Sequence, residues 1–277
     1  MRHFPLALSA IVLICLTFLP LAGRAADRER IEAFLSTTGF DVALDSIAHS
    51  AAAAPGMVGH TPEDFGADWE RLAGEVFDPA VMREFAMGVL EQALSDEMLY
   101  HAAAFYASDL GQRFVAAENA VHAEPPSAER MQRGMELFAN MVARDPERLA
   151  IYKRMLAAYN STEHSTRALI EIQTRFLVAA SAAGVTEAPI DEEGLRALMQ
   201  RREAELQLIL AQNALITSAL TYAPFSHDDL RAYAEALEHP TMRQVYDLLG
   251  AVQFQIMADR FEVLGTRMAE LHPAEEL

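Results

Sequence analysis

The chain has 277 residues, 22 basic against 40 acidic, for a formal net charge of −18. So acidic a surface repels nucleic acid and anionic lipid headgroups, which excludes both as ordinary partners. The single cysteine, Cys15, lies in the leader described next, so disulfides and cysteine-held metals are excluded from the remainder.

Residues 1–25 read as an export signal. A basic "MRHF" precedes the apolar "PLALSAIVLICLTFLPLA", and Gly23 and Ala25 put small residues at −3 and −1 of a cleavage point. The mature chain then begins at Ala26 or Asp27, carries 20 basic against 40 acidic residues once Arg2 and Arg24 are gone, and is expected in the periplasm without stable membrane insertion. At about 250 residues it is long enough to bury a core without covalent staples.

Everything after the leader reads as helix. Apolar residues recur at three and four, good helix formers dominate, and period-two runs are absent. The pattern predicts helices over 28–37, 41–53, 62–77, 79–93, 96–107, 109–123, 128–144, 146–159, 163–182, 192–222, 227–238 and 240–271. Their starts are marked by Thr61-Pro62, Asp78-Pro79, Ser95, Ser108, Ser127, Asp145-Pro146, Asp191 and Ser226, and stops fall at Gly39, Pro55-Gly56 and Gly184. Short connections favour antiparallel or sharply angled neighbours. The expected fold is all-α, with antiparallel hairpins and an orthogonal bundle. "HAEPPS" at 122–127 is the best seam, dividing an N-terminal half, 26–124, from a C-terminal half, 125–277.

The stretch "LSDEMLYHAAAFYASDLGQRF", 94–114, reads as a helix–helix corner. Ser95 caps the first helix, with Leu94 and Leu99 placed as a hydrophobic staple. Leu99, Ala103 and Tyr106 share a face, Ser108 caps the next helix, and Gly111 is expected beneath a close backbone, with Phe114 continuing the apolar face. The stretch "FSHDDLRAYAEALEHPTMRQVY", 225–246, repeats this grammar 131 residues later, with Leu230, Ala234 and Leu237 matching Leu99, Ala103 and Tyr106. An internal duplication is the expectation.

Phe105-Tyr106-Ala107-Ser108-Asp109-Leu110-Gly111-Gln112 resembles the "FYxSxxGQ" signature of bacterial exported proteins with the domain of unknown function 2059. The resemblance covers about residues 65–120 and, more weakly, 200–255. Members often have proline after the serine, where this chain has Asp109 and its second copy has Pro240. The resemblance implies an exported helical envelope protein and no particular chemistry.

No catalytic constellation emerges. Ser95, Ser108 and Ser226 sit at caps, and GxSxG and SxxK are missing. Glu97 with His101, Glu118 with His122 and Glu235 with His239 are i,i+4 pairs, read as solvated helix faces rather than metal ligands, since zinc needs three or four converging donors. Met131, Met135, Met82 and Met87 read as gap-filling core residues. The expectation is therefore a non-enzymatic protein with neither cofactor nor metal. Its first reading is a protein-interaction or scaffold module of the cell envelope, using a groove lined by Phe105, Tyr106 and Phe114, with Ser108, Gly111 and Gln112 shaping the corner. The alternative is a binder of a small apolar ligand, lipid or quinone-like, held between helices.

Overall fold

The computed structural model describes residues 21–159 and 162–271. The expected leader thus lies almost wholly outside the described residues. The described chain is helical throughout: α1 Leu21–Thr38, α2 Phe40–Ser46, α3 Ala54–Met57, α4 Ala67–Val76, α5 Pro79–Ala93, α6 Asp96–Tyr106, α7 Asp109–Ala123, α8 Ala128–Arg144, α9 Pro146–Tyr159, α10 Thr162–Ala182, α11 Glu192–Arg201, α12 Glu203–Thr221, α13 His227–Glu238 and α14 Pro240–Arg267. Among these, none is long and apolar enough to cross a membrane.

Local chemistry sets most boundaries. The side chains of Asp78, Ser95, Ser108, Ser127, Asp191, Ser226 and His239 each accept a backbone N–H from the first turn of the helix that follows. Gly39 and Gly184 take left-handed backbone, φ 74° and 79°, where helices end. Three expected helices are corrected. The one over 62–77 is a 3-10 turn, Pro62–Asp64, that Gly66 at φ 55° separates from α4. The one over 41–53 tightens into 3-10 geometry after Ser46. The one over 192–222 breaks at Arg202, where no proline or glycine marks the sequence. The break lets α11 lie on α10, with Arg196 reaching Glu171 at 2.7 Å, while α12 packs on both α8 and α10.

One apolar core runs through both sides of the 124/125 boundary. Its axis is α14, where Met242, Val245, Leu249, Val252 and Ile256 recur at three and four and are all buried. This helix packs against α4, α5 and α6 from the N-terminal half and against α9, α10 and α13 from the other. Its longest contact is with α10, where a Cβ on Gly265 would lie 2.5 Å from the Phe176 carbonyl oxygen. Only glycine permits that approach. On the opposite side α13 packs on α9 and α8 on α12. Met82 and Met87 fill the core as expected. Met131 and Met135 do not: they are 48% and 47% exposed on the outer side of α8, so their assignment to the core is corrected.

Candidate functional site

The 94–114 corner places its first aromatic pair differently for each ring. Tyr106 ends α6 and is buried at 2% exposure, whereas Phe105 is half-buried and stacks on Tyr233 with ring centroids 5.7 Å apart. Ser108 holds the corner from both sides, accepting the Gly111 N–H at 3.1 Å and donating to the Phe105 carbonyl at 2.6 Å. Gly111 is buried because the backbone of Phe105 and Tyr106 lies where a Cβ would stand. The close backbone is that of the preceding helix, not of a distant one. Gln112 donates to the Tyr106 carbonyl at 2.6 Å and to the Thr37 carbonyl at 3.2 Å, which ties the corner to α1. Phe114 is fully buried, stacked on Phe225 at 4.1 Å and on Tyr233 at 4.0 Å. The five signature residues and Phe114 therefore meet at one corner. They do not form the open groove expected of them, since Tyr106 and Phe114 turn inward.

What Tyr106 turns toward is a polar cluster inside an aromatic wall. Its hydroxyl bonds to that of Tyr246 and lies 3.1 Å from that of Tyr233. Tyr233 and Tyr222 donate to the same carboxylate oxygen of Glu118, Oε1, at 2.8 and 2.7 Å. A hydroxyl has one proton, so Tyr233, giving its own to Glu118, accepts from Tyr106 or Tyr246. The chain of donors thus runs toward Glu118. Burial raises the Glu118 carboxyl above its ordinary 4.5, while the two tyrosine hydrogen bonds pull it down. Burial also pushes the Tyr233 and Tyr246 hydroxyls well above 10, so both are un-ionised donors.

The cluster forms one end of a cavity of about 420 Å³ bounded by residues of α1, α2, α6, α7, α8, α9, α12, α13 and α14. Glu118 keeps partial exposure because it faces this space rather than packed atoms. Its second oxygen, Oε2, has no hydrogen-bond partner among the described residues. One turn further along α7, His122 lies on the same wall, its Nδ1 3.3 Å from the Ser46 hydroxyl. Burial and the nearby Arg130 guanidinium hold His122 below its ordinary 6.5. Arg130 completes that end of the cavity and donates to the Glu124 carbonyl. The expectation that Glu118 and His122 lie on a solvated face is therefore corrected. Glu97 with His101 and Glu235 with His239 build no such site. His101 instead stacks on His239 at 4.0 Å, where the two corners meet. Among the described residues no three His, Cys, Asp or Glu side chains converge as a metal would need.

Sequence reasoning reached Tyr106 and missed Glu118, Tyr222, Tyr233 and Tyr246. The available signal was the presence of tyrosines at inward positions of helices: Tyr233 shares a face with Leu230, Ala234 and Leu237.

Fold and site define an all-helical protein with a tyrosine-walled cavity between its helices. Residues 80–139 match the model of a family described as an uncharacterised protein conserved in bacteria, the domain of unknown function 2059, which bears out that resemblance over α5, α6, α7 and the first part of α8. No curated protein and no solved structure matches the chain.

Proposed function

We propose that this chain is an exported bacterial envelope protein that binds a small ligand in the cavity between its helices. The carrying observation is the cavity itself, whose size suits a small molecule and whose wall mixes apolar surface with a few convergent polar groups. The signature supports the reading through Tyr106. Ser108, Gly111 and Gln112 fix the corner that delivers Tyr106 to the cavity wall. The lining is not purely apolar, so the ligand is amphipathic rather than a bare lipid chain.

Gly250 offers a direct test. It lines the cavity from α14, and no atom lies within 4 Å of where its Cβ would stand. The Cβ of Gly250→Leu therefore enters without a clash and its side chain occupies cavity space, and replacing a mid-helix glycine favours the helix by up to about 1 kcal/mol. Parent and variant are purified from their native compartment and their small-molecule extracts compared by mass spectrometry. The expected outcome is a molecule carried by the parent and lost from an equally stable variant. Identical extracts from both would remove the reading.

A protein-interaction role is the second reading. What favours it is α8, where Met131, Met135 and Val142 are 47–49% exposed. The groove first expected at Phe105, Tyr106 and Phe114 gives it no support.

A further inference from the structure

We infer that the cavity selects a small zwitterion with an apolar body: a protonated amine against Glu118 and an acid group against Arg130. This rests on the cavity being a ligand site. Two charged groups on its wall lack a full set of partners. Glu118 uses Oε1 twice, for Tyr222 and Tyr233, and leaves Oε2 without a partner among the described residues. Oε2 stays open to the cavity, and a charged N–H is the strongest complement to a carboxylate oxygen. Four tyrosines, Tyr106, Tyr222, Tyr233 and Tyr246, line the same space, and their hydroxyl oxygens offer further acceptors for an ammonium N–H. Oε2 needs an N–H, so a primary amine fits where a quaternary ammonium offers nothing to donate.

The other end has the opposite need. Arg130 makes no ion pair among the described residues, although acids outnumber bases in this chain by 40 to 22. Arg130 lines the cavity beside His122, whose imidazole its charge helps hold low, one turn of α7 beyond Glu118. Glu118 and His122 are four residues apart on α7, roughly 6 Å along the axis. A ligand carrying both charges must therefore separate them by a short chain, and Leu156, Val245 and Leu249 supply apolar wall for it.

The test titrates the full exported chain with hexylamine, hexanoate, hexanol, ε-aminocaproate and its N-trimethylated form, by calorimetry and thermal shift. Expected is the tightest binding for ε-aminocaproate, with the trimethylated form weaker. Glu118→Gln should weaken the two primary amines roughly ten- to hundredfold and spare hexanoate, and Arg130→Gln should weaken hexanoate and ε-aminocaproate and spare hexylamine. If hexanol binds as well as the zwitterion and neither variant alters any affinity, the zwitterion inference is overturned and the cavity reading stands. If no probe binds the parent, and Gly250→Leu changes nothing, both are overturned.

Discussion

Gly111 is where the fold leaves least room, and replacing it by alanine tests the corner. The new Cβ would stand 2.3 Å from the Phe105 carbonyl oxygen and 2.6 Å from the Tyr106 Cα. Non-bonded carbons prefer about 3.5–4.0 Å, so the corner has to open by roughly 1 Å. Both obstructing atoms belong to backbone, so no flexible side-chain tip can move aside. Overpacking of this kind costs about 1–3 kcal/mol. Alanine also improves helix propensity by up to about 1 kcal/mol, which partly hides the clash. Gly88→Ala removes that ambiguity. Gly88 lies within α5, and no atom comes within 4 Å of where its Cβ would stand. It gains the propensity without the clash, so the difference between the two variants isolates the close contact. Urea denaturation followed by circular dichroism should place Gly111→Ala below Gly88→Ala by about 1–3 kcal/mol, or roughly 2–4 °C in melting temperature per kcal/mol. If Gly111→Ala is as stable as Gly88→Ala, the backbone approach does not exist and the account of the signature fails.

Tyr106→Phe keeps the ring and removes the hydroxyl shared with Tyr246 and Tyr233, so it should cost about 1 kcal/mol in denaturant unfolding. An unchanged midpoint would mean the hydroxyl contributes nothing to the fold. Burial raises the Glu118 carboxyl when folded, so its contribution to stability is fully present below the ordinary 4.5 and is lost as pH rises through the folded value. Glu118→Gln should accordingly gain stability relative to the parent from acid to neutral pH, and parallel stability–pH curves would contradict this. Burial and the neighbouring His239 depress His101, so the unfolded chain takes up that proton first and stability falls as pH drops below 6.5. Unfolding measured across that range should show a shallower loss in His101→Gln than in the parent, and an equal loss would clear His101 of the effect.

The helices were legible because their signals are local. Ser95, Ser108, Ser127 and Ser226 each needed only the next few residues to act as caps, and each heads the helix expected of it. The break at Arg202 was not legible, because its reason lies in α10 and α8 rather than in its own sequence. The duplication we propose rests on the shared capping grammar alone. Ser95 and Ser226 share backbone angles, φ −73° and ψ 156° against −72° and 162°, but Ser108 has them too, φ −73° and ψ 159°, and α7 and α14 differ in length, 15 residues against 28.

The site was legible only where a motif carried it. Glu118 and His122 have the spacing of countless exposed helix pairs, and nothing within α7 announces that one wall of a cavity runs along it. The tyrosines that bond to Glu118 come from 104 and 115 residues away. Helical period tells which side chains turn inward, as it did for Phe114 and Leu237. It does not tell whether they meet packed atoms or open space. Met131 and Glu118 were misread for that one reason: the first points to a face that no helix covers, the second to a space that several helices line. A polar residue on an apolar helix face is therefore informative only together with the polar residues that other helices bring to it. Here that second half of the signal is Tyr222 and Tyr233, whose hydroxyls converge on a single carboxylate oxygen and leave the other one facing the cavity.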